Sequence, residues 1–180
     1  EGERNKFVLF FGCSFTYGAG VKNDQTLPFY VGENAKGRGR SMSYNYGFSG
    51  QGPFDILAEL ENIHFQDEIK EKNGILIYVF IDDHVYRAIG SSSVMGWFLH
   101  HAYYRQVKDG KLVRVGSFLT GRPFLTSIYV FLSKSRILKV LDVGFPIRIR
   151  DPHIKLVAQI ILQMKENFNA KYSNGEFYVL

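Results

Sequence analysis

One hundred and eighty residues make a single domain the expectation, and a chain this long buries roughly 70% of its extended surface, so it folds without disulfides or metals. Apolar residues at 46% and charged residues at 22% exclude a disordered or fibrous class, and one cysteine excludes an internal disulfide framework or a cysteine-cluster zinc site. The balance of 22 Lys+Arg against 17 Asp+Glu leaves +5. Its densest spots, GRGR at 37–40 and RIR at 148–150, are too short for a nucleic-acid stripe. They read as solvated surface, with an anion-binding role as the alternative, and no nucleic-acid partner is expected. No window reaches the ~18 uninterrupted apolar residues of a membrane span, so no integral membrane segment is expected either. The chain opens on the polar EGERNK without a signal peptide or an initial Met, which leaves the compartment open and an upstream export or anchor segment possible to envisage.

The predicted elements alternate. KFVLFFG at Lys6 to Gly12 is a nearly continuous apolar run, the pattern of a strand buried on both faces. From Asp24, DQTLPFYVGENAKG has an N-cap, helical apolar spacing and a closing Gly37, which predicts a helix. Ser41 to Tyr46 reads as a second strand followed by a glycine-rich turn. Pro53 to Lys72 predicts a helix with apolar residues at Phe54, Leu57, Leu60 and Ile63 and a stop at Asn73-Gly74; His64 reads as a residue of its face. Ile75 to Ile81 (ILIYVFI) is the clearest buried strand. Tyr103 to Val107 and Leu112 to Phe118 flank Asp109-Gly110, a two-residue hairpin signal, and 83–121 reads as an insertion over the sheet. Pro123 to Val140 and Asp151 to Tyr172 read as helical, and Glu176 to Leu180 as another buried strand. A chain that stops inside an apolar strand reads as C-terminally incomplete. Strands alternating with helices predict an α/β fold, a three-layer α/β/α sandwich around a parallel sheet, formed as one domain over 1–180.

Sites in such sheets form beyond the C-terminal ends of the strands. Three ends are candidates: Gly12-Cys13-Ser14, the run Asn45 to Gly52, and Asp82-Asp83-His84. A hydroxyl directly after the first strand and a glycine turn after the second can supply a nucleophile and two backbone N–H groups for an oxyanion.

Those residues carry a resemblance. FFGCSFTYGAGV resembles the first block of the SGNH (GDSL-type) hydrolases, with Ser14 on the nucleophile and Cys13 where Asp is usual. YNYGFSGQG is similar to the second block, with Gly50 on the glycine that donates an oxyanion N–H. FIDDHVYR resembles the third, with Asp82 on the oxyanion-hole asparagine and Asp83 and His84 flanking it. The resemblance covers roughly residues 6 to 90. It implies a flavodoxin-like fold and a serine esterase or lipase-like enzyme that forms an acyl-enzyme from a lipid, acetylated-sugar or small-molecule ester, without cofactor or metal. O-acyl transfer on the same fold, or a binding domain that has lost the machinery, are the alternatives. Two departures bear on this. Asp82 removes an amide donor and would repel an oxyanion when ionised. The family's closing Asp-x-x-His occurs nowhere in the chain, so the general base is expected beyond Leu180; Asp151-Pro152-His153 has the wrong spacing.

Other features read as structural. Cys13 suits a small buried filler, with a cysteine nucleophile as its alternative. Asp82-Asp83-His84 also suits a helix start, with Asp83 reaching Arg87 four residues on. Adjacent His100 and His101 point apart and have no ligand cluster, which favours surface or packing over a metal. Trp97, Phe98, Tyr103 and Tyr104 either line an acyl or sugar pocket or pack the insertion.

Overall fold

The computed structural model describes residues 6–36, 41–62 and 68–180. The GRGR run, the closing Gly37 and His64 lie outside them. The described residues fall into two compact units: 1–51, 59–80 and 164–180 form the first, 52–58 and 81–163 the second.

The first unit is built on a parallel sheet flanked by helices. Strands β1 (Lys6–Gly12), β2 (Ser41–Gly47), β3 (Asn73–Tyr78) and β6 (Glu176–Val179) lie in the order β2-β1-β3-β6, all parallel. Central β1 is buried from Phe7 to Gly12, which is why its sequence shows no alternation. Phe7 packs edge-on against Phe168 and Tyr172, at centroid distances of 6.3 and 4.7 Å. These two rings belong to α9 (Asp151–Lys171) and the residue following it. The α/β class and the parallel sheet are as the alternation of strand and helix patterns predicts.

Four expectations are corrected here. The helix expected from Asp24 begins only at Leu27 (α2, Leu27–Lys36), after a separate 3-10 turn at Asn23–Gln25 closed by Lys22 N–H to Gln25 Oε1. The helix expected over Pro53–Lys72 is described as α3 over Pro53–Asn62, and residues 69–72 are not helical. Asn73 and Gly74 are therefore no stop signal: they are the first rungs of β3, paired with Lys6 and Phe7, because ladder hydrogen bonds override a local turn preference. The strand expected to run to Ile81 ends its ladder at Tyr78, though Val79 N–H still reaches Phe11 O and Phe80 N–H reaches Leu180 O. Finally, β6 is not buried. It pairs only with β3 among the described strands, and Tyr178 and Val179 are exposed.

The second unit holds α4 (Asp83–Ile89), α5 (Ser92–Phe98), the antiparallel hairpin β4 (Ala102–Gln106) and β5 (Leu112–Ser117), α6 (Phe118–Gly121), α7 (Pro123–Ser133) and α8 (Arg136–Val140). The hairpin exists, but its loop has three residues rather than two. Val107 N–H bonds Lys111 O, and Gly110, at φ 86°, takes the left-handed position that closes such a loop. The helix expected over Pro123–Val140 breaks at Ser135, whose hydroxyl caps α8 by accepting from Leu138 N–H. Gln163 of α9 doubles as an edge strand for β5, bonding both Leu112 N–H and Leu112 O at 2.8 Å. No described helix is long and apolar enough to cross a membrane.

Candidate active site

Ser14 stands at the first position of α1 (Ser14–Tyr17), two residues after β1 ends. The one-turn helix is tied down by Asn45. Its Nδ2 donates to the carbonyls of Thr16 (3.0 Å) and Tyr17 (3.4 Å), while its Oδ1 accepts from Gly47 N–H (3.0 Å). Gly47 allows this approach: a Cβ there would lie 2.6 Å from Tyr17 N and 2.7 Å from Thr16 Cβ. Sheet register brings the first two blocks to one end, since Gly12 and Gly47 are paired and Phe48 N–H bonds Gly12 O at 3.2 Å.

The second block ends in a turn. Gln51 N–H closes on Phe48 O at 3.2 Å, with Gly50 at φ 85°; a third turn residue in the left-handed region is the type II arrangement and calls for glycine. Ser14 and Gly50 are both partly exposed. Around them Phe15, Tyr17 and Phe48 stand largely in solvent, with Tyr17 edge-on to Phe48 at 6.4 Å. Cys13 is buried, and its Sγ is 4.0 Å from Ser14 Oγ. No histidine lies among the described residues of this unit.

Asp82, Asp83 and His84 belong to the second unit. Asp82 precedes α4 with helical backbone angles and makes no capping bond; both aspartates are exposed. Asp83 pairs with Arg87 at 3.7 Å, the spacing its position four residues upstream suggests. His84 is buried. Burial first, then the Arg87 charge, lowers its pKa to about 4, so it is neutral near pH 7.

One constellation has no trace in the sequence. The Asp55 carboxylate accepts from Gly52 N–H (2.8 Å), Ala102 N–H (2.9 Å) and His101 Nδ1 (2.8 Å). The His101 ring stacks on Phe98 at 3.9 Å, and Trp97 meets it edge-on at 6.0 Å. Forty-six residues separate Asp55 from His101, and no motif spans that interval. His100 is exposed and His101 packs. His153 serves its own helix, accepting from Arg150 N–H at 3.2 Å. Among the described residues no three His, Cys, Asp or Glu side chains are grouped as metal ligands would be.

No protein-family model matches the chain, and neither does any curated protein. Solved structures similar to it include AlinE4, an SGNH-hydrolase family esterase, at 14% identity over 98% of this chain and 76% of that one, TM-score 0.38. A catalytic mutant of Axe2, an acetylxylan esterase from Geobacillus stearothermophilus, is 16% identical over the same shares, TM-score 0.39. A two-domain esterase active on acetylated mannans, CEX, is 18% identical over 47% of this chain, TM-score 0.35; the match spans about a quarter of that protein, 26%.

Proposed function

We propose that the chain is a serine ester hydrolase of the SGNH type. The observation that carries this reading is the pairing of Gly12 with Gly47, which sets Ser14 and the Gly50 turn at the same end of the parallel sheet. In this reading Ser14 Oγ attacks the acyl carbonyl of an ester and the alkoxide leaves with a proton. Water then attacks the acyl carbon, the Ser14 Oγ–C bond breaks, and the carboxylic acid leaves as the Ser14 hydroxyl is restored. The N–H groups of Ser14 and Gly50 receive the developing oxyanion. A general base must take the Ser14 proton, and this unit's described residues contain no histidine for that role. Asp82 holds the third-block position by resemblance only and is given no oxyanion role in this proposal, since an ionised carboxylate repels negative charge.

The test is labelling with a fluorophosphonate, which phosphonylates activated serines with loss of fluoride, followed by mapping of the modified residue. Label on Ser14 that is absent from Ser14→Ala establishes the nucleophile. A folded protein that takes no label fails the reading and favours a binding domain, to which the exposed Asp82 in place of an amide already points.

A further inference from the structure

The second unit opens a cleft of about 610 Å³ between α4, α5 and the segment that follows α8. The chain's only tryptophan lines it. Trp97 is 51% exposed, although its neighbour Phe98 on the same helix is 1% exposed. Tyr86, also exposed, is a second aromatic wall. The polar lining consists of the Asp83 and Asp142 carboxylates and the hydroxyls of Ser91 and Ser93, whose oxygens lie 2.6 Å apart. Asp142 occupies the left-handed position that ends α8, at φ 50°, with Val143 N–H returning to Leu138 O. Glycine is the ordinary residue there, and this chain instead presents a carboxylate to the cleft.

We propose that this cleft binds a neutral oligosaccharide. A pyranose offers an apolar C–H face for an aromatic ring and vicinal hydroxyls for carboxylates, and the cleft supplies both partners at the size of an organic ligand. The other ligand chemistries fit less well. No lysine or arginine belongs to the described lining, and Arg87 is already paired with Asp83, so a phosphate or nucleotide meets the Asp142 carboxylate without a lining cation. A quaternary ammonium favours aromatic faces, but the Arg87 guanidinium already lies 5.7 Å from the Trp97 ring centroid and 3.7 Å from Asp83. An acyl chain would strip water from both aspartates without replacing their hydrogen bonds.

The structure thereby separates the aromatic cluster of the sequence. Phe98 and Tyr104 are core, half-buried Tyr103 packs against Phe54 and Phe118, and Trp97 is the one member of the four that lines the cleft.

Because Trp97 is the sole tryptophan, its emission reports the cleft directly. The protein is titrated with cellopentaose, xylopentaose and chitopentaose, with choline and inorganic phosphate as controls, and saturation-transfer NMR gives a readout that does not need Trp97. At least one pentasaccharide should shift the emission saturably, and its affinity should fall about tenfold or more in Trp97→Ala and in Asp142→Gly. Asp142→Gly suits the left-handed backbone and removes only the carboxylate, so its loss of binding is not a loss of fold. Absence of binding by all three sugars up to about 10 mM, binding unchanged in both variants, or a response to choline or phosphate alone would each overturn the proposal. The readout needs no turnover, so its failure leaves the Ser14 reading standing, and a failure of Ser14 labelling leaves the cleft standing.

Discussion

The Ser14 turn and the Trp97 cleft are made in opposite ways. The first is a backbone construction: two paired strand ends, a one-turn helix and a left-handed glycine, with the Asn45 amide hydrogen-bonding the parts together. The second is a side-chain construction, drawing Asp83 and Tyr86 from α4, Trp97 from α5 and Asp142 from the turn after α8. The contrast teaches where each region is vulnerable. Added atoms on glycine should damage the first, and truncated side chains should damage the second.

The largest effect is expected in the second unit. Phe54 is 2% exposed and stacks with Tyr104 at 5.2 Å while packing against Phe118. Phe54→Ala should cost about 4 kcal/mol in urea unfolding. A change below about 1 kcal/mol would show that these rings repack freely, and the side-chain account of this unit would break.

Next comes a pH effect. His84 carries its lowered pKa, about 4, only when folded. Above its ordinary value of 6.5 the folded and unfolded chains both hold it neutral, and it contributes nothing. As pH falls from 6.5 toward 4 the unfolded chain takes up a proton that the folded chain refuses, so stability drops and the loss levels off below 4. The full loss is about 3 kcal/mol, and His84→Gln should remove that part of the slope from unfolding curves recorded between neutral and acidic pH. Wild-type and variant curves that stay parallel over the range would show that the imidazole reaches water.

Gly47→Ala sharpens the other side of the comparison. Its new methyl would meet the backbone of Tyr17, so about 2 kcal/mol of stability should go, together with the seating of α1. Fluorophosphonate labelling of Ser14 should fall in parallel. A neutral result would mean that α1 is not held against β2 as described. The smallest effect is that of Gly50→Ala. It strains a φ of 85° by about 1 kcal/mol and should slow labelling more than it lowers the unfolding midpoint. Equal loss in both would mark the turn as structural only.

The legibility of the two regions follows from the same contrast. Local chemistry writes itself into local sequence: the unbroken apolar run of β1, the glycines of the second block and the turn glycine of the hairpin all act within a few residues. The limits of β3 differ from those its apolar run predicts because a ladder partner decides them. Asn73-Gly74 looks like a turn until Lys6 and Phe7 pair with it. The three acceptor contacts of Asp55 were invisible for a stronger reason, since a carboxylate that collects Gly52, Ala102 and His101 does so only after the chain has folded.

The sequence by itself determined the α/β class, the parallel sheet, the hairpin and the glycine-marked ends of the first two strands, because apolar periodicity and glycine conformation are properties of short segments. Only the tertiary structure decided which aromatics of the cluster are core and which face a cleft, that β6 stands exposed, and that His101 has a carboxylate partner. Each of these depends on burial and on contacts between residues far apart along the chain, and desolvation has no meaning until those contacts exist.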